Sequence, residues 1–412
     1  MPRAKGDQLK RQAVQVGLGD KQHLFRVIPE DKGSGYYPGC MHTKLMVYFH
    51  DNFCRFIIPT ANALDYDWAT IDNAFYVHDF PLLSSPPPAG ADPFKNPTHT
   101  QFSRNFLAVL AQLTGGGGEA ELGAPKKFLS YVKDYDFESS KEVRLVHSLQ
   151  GKYTDGEEFD KGGGLASLAK SVKSLGFSKG GKWEVEGTGS SIGRYTPTWL
   201  IQFLASCSGI HPTSYFTPSL TRQRTETPPS LPYKVPNKSN KKQQGKFNDR
   251  RDFPLKIIFP THDEIERSHL GIFGGGTIFC GKKVWEDANF PRELFYRGVS
   301  KRDRIAAHTK LLLATHVPDP QSPNPIHEGY VYIGSHNLTP SAWGQLQTGS
   351  TTPSLNINNY ELGIILPIRE KSKEEFEKKA NELVTYKRPL VPYSASDRPW
   401  MQDDHRDIYV QK

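Results

Sequence analysis

At 412 residues, 36% hydrophobic and 23% charged, the chain has room for two domains of ordinary size. No apolar run approaches the ~20 residues of a membrane-crossing helix, and the polar stretch Met1–Gln12 carries no secretory leader. Cys40, Cys54, Cys207 and Cys280 lack metal-ligand spacing, which argues against a zinc site or a disulfide framework and fits a reducing compartment. The formal net charge of +8 suits a polyanionic partner. Much of that excess sits in 222–256, amid Pro, Ser, Asn and Gln, and reads as a solvated, disordered loop.

From the N-terminus, Leu45–Phe49 reads as a strand, His50-Asp51-Asn52 as a turn and Phe53–Ile58 as the returning strand of a hairpin. Pro86–Pro88 and Gly115–Gly118 mark loops on either side of a helix over Phe102–Leu113. Val143–Leu149 is a strand, Leu165–Leu175 and Thr198–Ser206 are helices, and Leu255–Phe259 is again a strand. A second region resembling the first opens at His308. It runs through Leu311–Leu313, crosses a Pro-rich loop at Pro318–Pro325 and returns as Tyr330–Ile333, with a further strand over Tyr360–Ile368. Helices alternating with short apolar strands predict an α/β fold.

The internal repeat carries the most information. His42-Thr-Lys-Leu45 and His308-Thr-Lys-Leu311 are identical, and each leads into an apolar strand. After the second strand of each unit comes a small polar run ending in Asn, Thr60-Ala-Asn62 and Ser335-His-Asn337. Six residues beyond each Asn stands a Trp, Trp68 or Trp343. One His-x-Lys is commonplace, an Asn can be a strand-end cap and a Trp is usually packing. Their ordered duplication instead implies two similar lobes about an approximate twofold, with both sets meeting in the cleft between them.

Residues two apart on a strand share a face, so His42 projects with Lys44 and His308 with Lys310. Lysine supplies positive charge, and the amides of Asn62 and Asn337 donate hydrogen bonds without adding negative charge. Such a set can cradle one phosphodiester and stabilise the charge that builds up on its oxygens during in-line displacement. One histidine, neutral, would attack phosphorus, and the other, protonated, would donate to the leaving oxygen and later activate water. No metal or cofactor is called for, because the lysines carry the charge.

This duplicated pattern resembles the phospholipase D superfamily, and Asn in place of its usual Asp resembles the His-Lys-Asn variant of the tyrosyl-DNA phosphodiesterase family. Asp67-Trp68, Ala342-Trp343-Gly344, Tyr360-Glu361-Leu-Gly363 and Asp397-Arg-Pro-Trp400 match as well, so that the likeness runs from about Asp20 to Trp400. The resemblance implies two similar α-β-α lobes, mixed sheets flanked by helices, related by a pseudo-twofold. Residues 1–140 would form the first lobe, shortened at its start, and 141–412 the second, with a basic insertion at about 212–250. It implies hydrolysis of 3′-phosphotyrosyl and related 3′-blocking groups on DNA through a phosphohistidine, in the nucleus, by a monomer with no membrane partner. The partners would be single- or double-stranded DNA 3′ ends and a topoisomerase I-derived peptide.

By the same resemblance His42 is the nucleophile and His308 the acid. Glu361 would support His42 and Asn73, at a position that can hold Gln in the family, would support His308. Ser190, Ser191 and Thr339 would contact DNA. Three departures stand out: only 41 residues precede His42, Pro38 replaces an aromatic for which Tyr36 or Tyr37 could substitute, and 212–250 and 318–327 are lengthened. The competing readings are another phospholipase D-type nuclease or lipase and a non-catalytic DNA-binding relic.

Overall fold

The computed structural model describes residues 39–88, 90–114, 131–154, 156–178, 181–215, 253–319, 321, 326–347 and 353–409. The apolar runs Leu45–Phe49 and Phe53–Ile58, parted by the polar turn His50-Asp51-Asn52, form the expected hairpin, β1 (Met46–Phe49) and β2 (Phe53–Pro59). After a short helix, α1 (Asp65–Ala69), the strand β3 (Phe75–Pro81) pairs antiparallel with β2 and completes a three-stranded sheet in the order β1-β2-β3. The predicted helix forms as α2 (Gln101–Thr114).

The second part of the chain builds a larger sheet. Its strands in sequence are β4 (Arg144–Ser148), β5 (Gly151–Tyr153), β6 (Lys182–Thr188), β7 (Ser191–Ile192), β8 (Leu255–Phe259), β9 (Phe279–Cys280) and β10 (Phe295–Arg297). Then follow β11 (Leu311–Val317), β12 (His327–Gly334), β13 (Gln345–Gln347), β14 (Ser354–Ile357) and β15 (Glu361–Glu370). Seven of them form one mixed sheet, β10-β8-β6-β11-β12-β15-β4, in which β8 runs parallel to both β6 and β10. A ribbon β13-β14-β5 and the short pair β7-β9 lie apart from it.

Period-two alternation on the central strands divides the interior into two cores. Leu311, Leu313, Val331, Ile333, Leu362 and Ile364 point to one side. There they meet Cys54, Phe56, Ile58 and Phe80 of the small sheet, Phe102 and Phe106 of α2, and Phe376 of α5 (Lys373–Leu383). Leu312, Ala314, Tyr330, Tyr332 and Ile365 point the other way, onto α3 (Leu165–Ser174) and α4 (Pro197–Cys207). Helices thus cover both faces of the large sheet. The strands β3 and β6 and the helix α5 were not anticipated, although Phe75, Tyr76, Val77 and Phe80 give β3 a strand-like composition. The basic insertion at 212–250 lies outside the described residues from 216 onward, and so do Tyr36, Tyr37 and Pro38.

The two halves are joined by main-chain hydrogen bonds that obey the repeat. His42 N–H donates to Tyr360 O at 3.0 Å, and His308 N–H donates to Asp72 O at 2.8 Å. In return Tyr360 N–H donates to Cys40 O at 3.0 Å and Asp72 N–H to Ala306 O at 2.9 Å. Each histidine segment is therefore bridged in parallel to the strand entry of the opposite half.

Phe56 is fully buried where these halves share a core and packs edge-on against Phe80, Phe106 and Phe137. Phe56→Ala should cost about 3–5 kcal/mol. Because that core includes the large sheet, urea unfolding should move as one transition; a separate early transition of the small sheet would contradict a shared core.

Candidate active site

The site is built twice on one plan. In the first copy Thr60 N–H donates to Ala74 O at 2.9 Å, and Ala74 N–H returns to Thr60 Oγ1 at 3.0 Å. In the second copy Ser335 N–H donates to Leu362 O at 2.9 Å, and Leu362 N–H returns to Ser335 Oγ at 2.9 Å. Each hydroxyl then donates to the residue just before its partner, Thr60 to Asn73 Oδ1 at 2.8 Å and Ser335 to Glu361 Oε2 at 2.5 Å. Both lysines fold back alike, with Lys44 Nζ and Lys310 Nζ each 2.7 Å from the carbonyl of its own histidine.

The copies differ where chemistry would need them to differ. His42 Nδ1 lies 2.8 Å from Glu361 Oε2. Asn359 Nδ2 donates to the other carboxylate oxygen at 3.0 Å. Although burial opposes its charge, the adjoining His42, then His336 and the Ser335 hydroxyl, hold Glu361 down at about 2. An ionised Glu361 only accepts, so His42 Nδ1 carries the hydrogen and Nε2 keeps its lone pair. Burial lowers the affinity of His42 for a second proton, against the pull of Glu361.

His308 sits deeper, 2% exposed, with Lys310 Nζ 3.2 Å from Nδ1 and 2.9 Å from Nε2. Burial, then the charges of Lys310, Lys44 and His42, push its proton affinity well below the ordinary value. Lys310 is fully buried and strongly lowered, first by burial and then by Lys44, while burial brings Lys44 to about 8. Four nitrogen bases therefore lie in one field, and an arriving anion would offset the burial and mutual repulsion that suppress their charges.

Asn337 is 7% exposed, and its Oδ1 accepts from Ser190 N–H (2.9 Å), Ser190 Oγ (3.1 Å) and Ser191 N–H (3.1 Å). Three donors on the oxygen turn Nδ2 the other way, where it meets no protein acceptor among the described residues. Ser190 and Ser191 thus point their main-chain donors at Asn337, and Thr339 caps the helix Pro340–Trp343 by accepting from Ala342 N–H at 3.2 Å. Asn62 lies against Asp67, whose Oδ2 accepts its N–H at 2.5 Å, and Trp68 Nε1 holds its carbonyl at 2.7 Å. The expected pairing of Asn73 with His308 does not form: its amide accepts from Thr60 and donates to Asp67 O at 2.7 Å. The acid facing His308 is Asp67, and sequence reading missed that role. The available signal was the mismatch between Asp67 and Ala342 at matching places in the repeat.

His42–Lys44 and His308–Lys310 lie not on strands, as expected, but in the segments that lead into β1 and β11, and this repeated arrangement on mixed sheets flanked by helices defines a phospholipase D-like fold. Within it the chain belongs to the tyrosyl-DNA phosphodiesterase family, whose model matches residues 33–394. It is 24% identical to tyrosyl-DNA phosphodiesterase 1 of Drosophila melanogaster over 378 residues, covering 88% of this chain and 57% of that protein. It is 23% identical to tyrosyl-DNA phosphodiesterase 1 of Arabidopsis thaliana over 424 residues, covering 90% of this chain and 61% of the relative. The chain thus spans about three fifths of the length of these relatives. The crystal structure of yeast tyrosyl-DNA phosphodiesterase superposes with a TM-score of 0.54 at 18% identity, covering 87% of this chain and 77% of the yeast chain. At that identity the likeness establishes the fold.

The Glu361 carboxyl titrates lower in the folded chain, near 2, than its ordinary 4.5. Its contribution to stability is therefore complete above about pH 4.5 and is lost as pH falls toward 2. Relative to Glu361→Gln, the native chain should hold an advantage on the order of 3 kcal/mol at pH 5–6 that shrinks across this window. Urea midpoints of the two proteins against pH check this, and a constant difference would contradict it.

Proposed function

We propose that this chain hydrolyses 3′-phosphotyrosyl and related 3′-blocking groups on DNA through a phosphohistidine on His42. The observation that carries the reading is the Glu361–His42 contact, which leaves the Nε2 lone pair of a neutral imidazole as the nucleophile. In the first step Nε2 attacks phosphorus, the P–O bond to tyrosine breaks, and the tyrosine oxygen takes a proton from His308. In the second step His308 removes a proton from water, the resulting hydroxide attacks phosphorus, and the P–N bond to His42 breaks. The DNA leaves with a 3′-phosphate.

Lys44 and Lys310 would hold the equatorial oxygens, and the Nδ2 of Asn337 adds a neutral donor. Substrate charge matters for protonation as well. Burial and then the lysines disfavour the charged form of His308, and a bound phosphodiester would counter the lysines' share and so recruit its acid form. Family membership and the Asn that completes each motif support DNA over lipid as substrate. A topoisomerase I-derived tyrosine as leaving group, either single- or double-stranded 3′ ends, a nuclear location and action as a monomer complete the proposal.

His42→Ala should lower turnover of a 3′-phosphotyrosyl oligonucleotide by on the order of 10⁴-fold or more. His308→Ala should instead leave enzyme–DNA adduct on denaturing gels, since the second step loses its base. Absence of adduct with the first step intact would reverse the assignment of the two histidines. Because lysines supply the charge, activity should persist in EDTA; loss on chelation with recovery on adding a divalent metal would refute the paired-histidine route.

A further inference from the structure

We propose that Asp67 is the positioning residue for His308, holding the imidazole in place and stabilising it when it carries its second proton. This deepens the phosphodiesterase reading and rests on it for the role of His308. The carboxylate of Asp67 is fully buried, with Oδ2 3.5 Å from His308 Nδ1. Its second oxygen, Oδ1, is buried and has no hydrogen-bond partner among the described residues.

The plainer reading makes Asp67 a loop staple. Its Oδ2 accepts from Asn62 N–H at 2.5 Å, and its own N–H donates to Leu64 O at 3.0 Å, closing the turn that enters α1. A staple uses one oxygen, however, and an orphaned carboxylate oxygen in the interior is costly. The oxygen nearer His308 is Oδ2, and a protonated Nδ1 beside it would help offset a buried carboxylate that the Asn62 N–H alone leaves poorly compensated. Catalytic hydrogen bonds are often long in the empty site and shorten when substrate binds.

The repeat supports the assignment. Glu361 reaches across the cleft to His42, and its repeat mate is Asn73. Asparagine is one methylene shorter than glutamate, and this amide stops at Thr60 Oγ1 and Asp67 O. The carboxylate beside His308 Nδ1, where Lys310 Nζ also lies at 3.2 Å, is therefore that of Asp67, whose own repeat mate, Ala342, has no carboxylate. Each histidine thus receives one acid from the opposite lobe, by different routes. The other charged or titratable groups that act on His308 are Lys310, Lys44 and His42, all opposing its protonation. Asp67, with Oδ2 3.5 Å from Nδ1, is the acid placed to act against them.

Asp67→Asn tests this, because it keeps the acceptor for Asn62 N–H and the side-chain volume. In protein saturated with inorganic phosphate, the His308 ring titration followed by ¹⁵N NMR should fall by about 1 pH unit relative to the native chain. In single-turnover assays on a 3′-phosphotyrosyl oligonucleotide, hydrolysis of the adduct should slow about 10–100-fold, so that adduct accumulates. The alkaline limb of the rate should move to lower pH. An unchanged His308 titration, with both steps slowed equally and no adduct, would leave Asp67 a staple and overturn the proposal. Should Asp67→Asn not fold, the native phosphate complex still decides. A His308 Nδ1 proton shielded from exchange and shifted far downfield supports the contact, and a freely exchanging one refutes it. If the native chain leaves the phosphotyrosyl oligonucleotide intact, the substrate reading fails while the titration still judges Asp67.

Discussion

The crossed main-chain bridges, His42 to Tyr360 and His308 to Asp72, are the constraint on which the rest of the site depends. A histidine fixed only within its own lobe would move whenever the lobes shifted. Here each ring is carried on a backbone that the opposite lobe also holds, so both are referred to one frame. Preorganisation of this kind is what in-line attack requires, since small misplacements of reacting atoms are expensive. The shared core around Phe56, Leu313 and Val331 keeps the lobes at that distance.

Within this frame the chemistry is set by breaking the symmetry. Matching hydroxyls, Thr60 and Ser335, meet an amide in one copy and a carboxylate in the other. One methylene and one charge separate Asn73 from Glu361, and that difference gives His42 a fixed tautomer with a free Nε2. His308, buried beside Lys310, is kept short of a proton until an anion arrives. Two identical motifs thus acquire different surroundings, and in the proposed reaction those neighbours make one a nucleophile and the other an acid.

The cluster of bases has a further consequence. Lys44 and Lys310 are both pushed down, mainly by burial and, for Lys310, by Lys44. The site is consequently less positive than its composition suggests, and an anion binding there would be coupled to proton uptake. Ser190 and Ser191 hold the Asn337 oxygen and so aim its nitrogen.

The amino-acid sequence by itself placed the hairpin at 45–58, helices at 102–113, 165–175 and 198–206 that form at 101–114, 165–174 and 197–207, and the strands of the second copy. It also singled out the six repeated residues His42, Lys44, Asn62, His308, Lys310 and Asn337 as candidates, because local periodicity and exact repetition survive without knowledge of neighbours. The partners could not be read in this way. Glu361 is 319 residues from His42 along the chain, and Asp67 is 241 residues from His308. Whether Asn73 or Asp67 faces His308 turns on side-chain reach of a single methylene, which no spacing rule measures. Only the tertiary structure decided it, because proximity across a cleft is a property of packing and not of sequence distance.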